Sequence, residues 1–193
     1  MMSLVPFLPR HRVLAQLAFC AAVSLVAACS VPPDVSQQNF VPILRVLDET
    51  EDRPWECAGY SDASVTCAVV STMNAVPGGV RVVSQLALDR SVTLTVTDTL
   101  RAQNGQGCTD SRSAQVSVQG LADATLRREL EEVTLEVMRS HGTACVSYFR
   151  SADGFTVTSR LLDGSPIPDQ PDLSVIFLKT RPDMRVFDPG PAE

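Results

Sequence analysis

Alternation of apolar and polar side chains is the feature that most constrains how this chain can fold. Residues 91–97 read SVTLTVT, which places Val92, Leu94 and Val96 on one face of an extended strand and threonines on the other. Further strand segments are predicted at 64–72, 80–88, 114–119, 143–150, 155–162, 173–179 and 184–187. Asp153-Gly154 separates two of these segments and is a hairpin signal. The chain is therefore predicted to be rich in β-strands.

One segment has the period of a helix instead. Its apolar positions fall at i, i+4, i+7 and i+11, namely Leu126, Leu130, Val133 and Val137. Asp123 is placed to cap the first turn, and Gly142 to end the helix. A helix with such a stripe is expected to bury it against a sheet of its own domain. The order of elements predicts an α+β fold: an antiparallel β-sheet of about six to eight strands, covered on one face by a single helix over about 121–141.

The first residues have the pattern of an exported protein. Residues 1–12 contain no acidic side chain and end in Arg10, His11 and Arg12, and residues 13–28 (VLAQLAFCAAVSLVAA) carry no charge. A basic segment followed by a short apolar one is typical of a secretory signal peptide. The uncharged run is short for a membrane span, which needs about 20 apolar residues.

The end of that run, Val26-Ala27-Ala28-Cys29, resembles the lipobox of bacterial lipoproteins. The resemblance covers residues 1–30 only. It implies cleavage before Cys29, a diacylglyceryl cysteine with further acylation such as palmitate, and a mature domain held on a membrane of the cell envelope. Ser30 stands where an aspartate often retains such proteins at the inner membrane. It favours the periplasmic face of the outer membrane.

The expected organisation has four parts. A signal peptide spans 1–28, a lipidated N-terminus and tether spans 29–53, one folded domain spans 54–188, and a short tail spans 189–193. Pro32-Pro33 and the polar residues around them suit an extended spacer. Residues 40–47 are more apolar, and they are expected to form either a first edge strand or a hydrophobic plug.

Four further cysteines follow in the expected domain: Cys57, Cys67, Cys108 and Cys145. In an exported chain they predict two disulfide bonds, with three pairings open. Cys57 and Cys67 stand ten residues apart around the turn candidate Gly59-Tyr60-Ser61-Asp62, and Cys108 and Cys145 stand thirty-seven apart across a strand and a helix, which favours these two pairings. A zinc site would need closer paired spacings such as C-x₂-C.

Charge and residue inventory narrow the function classes. The formal net charge is −6, and removal of Arg10 and Arg12 with the signal would make it −8, so nucleic acid is not an expected partner. His141 is the one histidine after residue 28, and no G-x-S-x-G elbow occurs. We therefore assign no catalytic residue, metal site or cofactor from the sequence. Trp55 and Tyr148 are the aromatic candidates for a ligand or partner patch.

Two functions remain as hypotheses. The first is a binding, accessory or structural module of the envelope, with another envelope protein or cell-wall material as partner. The alternative is a hydrolase of cell-wall or periplasmic polymer that works through carboxylates. Two acidic side chains facing each other across a groove at about 5–10 Å would favour the hydrolase.

Overall fold

The computed structural model describes residues 39–168 and 170–186. The predicted signal peptide, Cys29, Ser30 and the tail at 189–193 lie outside these residues. Within them the chain forms two helices, α1 (Ile43–Glu49) and α2 (Ala124–Ser140), and twelve strands. The strands are β1 (Phe40–Val41), β2 (Trp55–Ala58), β3 (Thr66–Cys67), β4 (Val69–Val76), β5 (Gly79–Ala87), β6 (Thr93–Gln103), β7 (Gln106–Thr109), β8 (Gln115–Gln119), β9 (Ala144–Ser151), β10 (Gly154–Leu161), β11 (Leu173–Leu178) and β12 (Asp183–Met184).

Eight of these strands close into an antiparallel barrel. Their order is β9-β10-β11-β2-β4-β5-β6-β7, and β7 pairs back onto β9 through Cys108 and Cys145 and the residues beside them. Once β3 and β8 are set aside as lying outside the circuit, each strand pairs with the next one along the chain, and the last strand, β11, pairs with the first, β2. Closure pairs the strand edges that an open sheet would expose. The antiparallel, mostly β character is confirmed, but the prediction of a sheet covered by one helix is wrong, because the sheet closes on itself.

Residues 40–47 contain both of the predicted alternatives: Phe40–Val41 form the short edge strand β1 on β9, and helix α1 packs its apolar residues into the core as a plug. Ile43 and Val46 are 1% and 0% exposed and belong to the main core. The backbone N–H of Ile43 donates to the carbonyl of Gly105 at 2.8 Å, in the turn between β6 and β7. A side chain at Gly107 would place its Cβ 2.7 Å from Ile43 Cδ1, so glycine there lets the helix approach the strand. Residues 40–49 therefore belong to the folded domain, which was expected to start only at about Pro54.

The main core unites α1 with the apolar positions of the barrel strands. Tyr148, Phe155 and Phe177 form two successive edge-to-face contacts, with ring centroids 6.0 and 5.7 Å apart. All three rings are buried, together with Val80 and Leu100. Aromatic side chains pack well in this geometry because the positive ring edge meets the negative face.

Two disulfide bonds are present, as predicted. Cys57–Cys67 joins β2 to β3, with a Cα–Cα distance of 5.5 Å, beside the short parallel pair that β3 makes with β12. Cys108–Cys145 joins β7 to β9, with a Cα–Cα distance of 4.0 Å. The second bond lies across the seam that closes the barrel, where β7 and β9 pair over only three residues each. These are the pairings that the spacing favoured.

The local turn chemistry explains two hairpins. Asn104 and Gly105 link β6 to β7 with φ of 51° and 82°, the positive angles that a tight Asn-Gly hairpin turn requires. The β9–β10 hairpin predicted from Asp153-Gly154 is also present. Its two turn residues are Ala152 and Asp153, so the turn lies one residue earlier than the dipeptide.

Candidate functional site

Polar contacts cap helix α2 and hold it against strand β8. Asp123 caps the helix as predicted, and its carboxylate accepts from the N–H groups of Thr125 and Leu126 at 2.8 and 3.1 Å. Glu131 Oε1 accepts from the backbone N–H of Val118 in β8 at 2.9 Å. This bond satisfies a partly buried donor of β8, so the helix is held against the strand through a glutamate of its polar face.

The apolar stripe of α2 remains largely in solvent. Leu126, Val133 and Val137 are 50%, 55% and 53% exposed, and no residue of the helix is fully buried. The prediction that this stripe packs on the sheet is wrong for a physical reason. The barrel interior is already filled by side chains of its own strands and of α1, so it offers α2 no apolar face to cover.

An apolar groove lies between α2 and the β5–β6 connection. Its volume is about 420 Å³, and its apolar lining comes from Leu88, Val92, Leu121, Leu126, Leu130 and Val133. Val92 is 7% exposed and Leu130 is half-buried, whereas Leu126 and Val133 stand at the exposed edge. The groove and the stripe of α2 thus form one continuous apolar surface, which we call the α2 groove.

Two carboxylates, Asp89 and Glu129, also line the α2 groove. Asp89 Oδ1 accepts from Ser91 Oγ at 2.9 Å and from the N–H of Val92 at 2.8 Å, which closes the β5–β6 turn. Hydrogen bonds from Ser91 and Val92 hold the pKa of Asp89 below its ordinary value. The carboxylate therefore stays ionised as a structural acceptor, which does not suit a general acid, because that role needs a raised pKa.

The carboxyl group with a raised pKa lies elsewhere, in the core. Tyr148 donates its hydroxyl to Glu56 Oε1 at 3.0 Å, and the same hydroxyl lies 3.4 Å from Met73 Sδ. Glu56 is 8% exposed, and burial raises its pKa to about 7 against the opposing effect of the Tyr148 hydrogen bond. Burial, with the Glu56 carboxyl beside it, also raises the pKa of Tyr148.

Glu56 was not singled out from the sequence. It stands between Trp55, the patch candidate, and Cys57, a disulfide cysteine, and it lies on the interior face of β2. Its register partners are Ser71 in β4 and Phe177 in β11. No strand was predicted over residues 55–58, so no signal in the sequence indicated that this acidic side chain faces the interior.

A second buried carboxylate is fully occupied by structural bonds. Asp98 is 6% exposed and accepts from Thr109 Oγ1 at 2.9 Å and from Ser113 Oγ at 2.7 Å. Its Oδ1 also accepts from the N–H of Thr99 at 2.7 Å. These bonds join the end of β7 to β6, at the point where the chain leaves the barrel for β8. Asp98 is thus a structural residue that ties β6 to β7 and to the loop that follows β7.

The aromatic residues expected to form a patch are separated. Tyr148 is 3% exposed and faces the core, so its ring is not available at the surface. Trp55 is half-buried, packs against the cluster around the Cys57–Cys67 disulfide, and has the Arg181 guanidinium 5.7 Å from its ring. His141 is the exposed C-cap of α2. The structure does not bring these three residues into one site.

Within residues 39–168 and 170–186, no group of three or more histidine, cysteine, aspartate or glutamate side chains is arranged to hold a metal ion. No helix in the same part of the chain has the length and apolar character to cross a bilayer.

Comparison with known proteins finds no significant match among protein-family models, curated proteins or solved structures.

Proposed function

We propose that this protein is a lipid-anchored module of the bacterial cell envelope that binds an apolar ligand or partner surface in the α2 groove. The exposure of Leu126, Val133 and Val137 carries this proposal. Large side chains on a regular helical stripe normally lie in a core, and a contiguous exposed patch marks an interaction site. Full burial of one such side chain contributes about 1.5–3 kcal/mol. Each of these half-exposed residues would therefore contribute about 1 kcal/mol on binding.

The anchor is part of the proposal and rests on the lipobox at Val26–Cys29. A protein held by its first mature residue would present the barrel on the periplasmic side of the membrane, in an oxidising compartment that suits two disulfides. Intact-mass analysis of the protein from its native host tests this part. A chain that begins at Cys29 and carries the added mass of diacylglycerol is expected. An unprocessed chain would contradict the anchor.

The hydrolase alternative receives less support from the carboxylates. The groove pair, Asp89 and Glu129, includes a group whose pKa is lowered, and Asp89 is committed to its turn. Glu56 has the raised pKa that a general acid needs, but it is bonded to Tyr148 beneath core side chains. The acid and the groove are thus on different parts of the fold. Binding is the function that this arrangement favours.

Photolabelling with a dodecanol that carries a diazirine tests the groove. The full-length chain is placed in phosphatidylcholine nanodiscs, illuminated with the label, and mapped by mass spectrometry. We expect labels to concentrate on residues 88–92 and 121–137. Val133→Ser is expected to lower labelling there at least threefold.

The protein supplies a matched control for simple exposure. Val65 and Leu162 are each 61% exposed, more than any residue of the stripe, but they lie outside the groove. Leu162→Ser should leave the labelling of the groove unchanged. Labels spread over Val65, Leu162 and the stripe in proportion to exposure would overturn the proposed binding function.

A further inference from the structure

The charges that border the stripe of α2 indicate what kind of partner fits it. Glu129, Glu132 and Glu136 recur at i, i+3 and i+7, so they form a row along the helix beside Leu126, Val133 and Val137. All three glutamates are exposed. In the part of the chain that the structure describes, none of the ion pairs involves them. The stripe therefore has an acidic border that is not neutralised within the described fold.

The basic residues of α2 lie off the stripe. Arg139 donates through Nε to the carbonyl of Ser111 at 3.3 Å and lines a surface depression with Glu132 and Glu136, near the C-terminal end of the border. Arg127 is half-buried on the packed face, and Arg128 lies on the helical face opposite the stripe. Across the groove, Asp89 adds a further carboxylate. The charged residues that line the groove itself, Asp89 and Glu129, are thus both acidic.

We propose that the α2 groove receives an amphipathic segment of a partner protein whose apolar face is flanked by lysine or arginine. This proposal rests on the proposed binding function and names its partner class. A helix that lays apolar side chains at i, i+3, i+4 and i+7 into the groove would cover Leu126, Val133 and Val137. Its basic flanks would meet Glu129, Glu132 and Glu136. Complementary charge at the rim would steer association and fix the register of the partner.

The same charges disfavour two other occupants. In a twofold antiparallel pair of α2 helices, Glu129 of one protomer would lie near Glu136 of its partner, and the two carboxylates would repel each other. A membrane surface rich in anionic lipid attracts helices with basic flanks and repels acidic ones. A second copy and a bilayer are therefore outcomes that the test must be able to report.

Two synthetic helices of 18 residues serve as probes. In both, leucine occupies the i, i+3, i+4 and i+7 positions, and the remaining positions are lysine in one peptide and glutamate in the other. Binding to the full-length chain in phosphatidylcholine nanodiscs is measured by fluorescence anisotropy, with empty discs as the blank. We expect the lysine peptide to bind at least tenfold more tightly than the glutamate peptide. Val133→Ser is expected to weaken its binding at least fivefold.

Charge reversal identifies the border. Glu129→Lys/Glu136→Lys should weaken binding of the lysine peptide at least tenfold and strengthen binding of the glutamate peptide, because the charge at the border is reversed. The fold should be unaffected, since the two exposed glutamates form no ion pair within the described residues. Glu51→Lys, at an exposed acidic residue outside the groove, is the matched control and should change neither affinity. Equal affinities for the two peptides, or equal losses in the control, would overturn the inference.

The outcomes separate this inference from the proposed function. Photolabelling confined to the groove with no preference between the peptides would leave the binding function standing and refute the basic partner. If Val133→Ser changed neither the photolabelling of the groove nor the affinity for the lysine peptide, both the binding function and the basic partner would be refuted. Mass photometry counts the protein chains in each nanodisc. If discs preferentially held two copies of the parent protein, and this preference were lost in Val133→Ser, the stripe would be assigned to a second copy instead.

Discussion

Replacement of the buried carboxyl in Glu56→Gln should stabilise the protein at alkaline pH. The pKa of Glu56 rises from 4.5 in its ordinary state to about 7 in the fold, with burial as the main cause. Between these values the folded protein keeps a proton that the unfolded chain has released, so the free energy of unfolding falls as the pH rises from about 4.5 to about 7. At about 1.4 kcal/mol for each pH unit, the ionised carboxylate costs about 3 kcal/mol above that window.

Glutamine removes this cost because it stays neutral and still offers an oxygen to the Tyr148 hydroxyl. Urea unfolding with intact disulfides measures the effect at about pH 4.5 and about pH 8.5. We expect the two proteins to have similar stability at the lower pH. At the higher pH the variant should gain about 3 kcal/mol, which moves its urea midpoint by about 1–2 M for a domain of this size. Other carboxylates contribute to both proteins alike and cancel in the difference.

Two variants make the test specific to the buried pair. Glu51→Gln makes the same substitution at an exposed residue outside the buried pair and should not reproduce the gain in stability at the higher pH. Tyr148→Phe removes the hydrogen bond that lowers the pKa of Glu56 in the fold, so the upper end of the pH window should rise while the lower end stays at the pKa of the unfolded chain. Wild-type stability that stays level from about pH 4.5 to about pH 8.5 would refute the reasoning, as would a glutamine variant that gains nothing at the higher pH.

Three further predictions concern the elements that hold the fold. Asp123→Ala removes both capping bonds of α2 and should lower the free energy of unfolding by about 1 kcal/mol, measured by thermal unfolding. Asp123→Asn should retain most of the stability that the cap provides. Glu131→Ala leaves the N–H of Val118 without its partner and should cost about 1–3 kcal/mol. Hydrogen exchange at Val118 should then become faster, and an unchanged rate would contradict the assigned contact. Cys108→Ser/Cys145→Ser opens a 37-residue loop and should cost about 3–4 kcal/mol, by urea unfolding against the parent.

Local features of the fold follow from the sequence because they depend on nearby residues. Alternation identified β6, the Asp153-Gly154 signal identified the β9–β10 hairpin, and the 3.6-residue period identified α2 with Asp123 as its cap. The spacing of the cysteines favoured the two disulfides that are present. Helix α1 was too short for its period to show, although its apolar character suggested a plug or an edge strand. Strand β7 is only four residues long and was not among the predicted strands.

Only the tertiary structure decided what each apolar face meets. Alternation shows that a strand has an apolar side, but an open sheet and a closed barrel use the same alternation, so closure through β7 and β9 could not be predicted. The contact of Glu56 with Tyr148 joins residues 92 positions apart and depends on that closure. For α2, periodicity correctly predicted the helix and the positions of its apolar stripe, but the prediction that the stripe is buried was wrong. The barrel fills its own interior, and this leaves Leu126, Val133 and Val137 exposed.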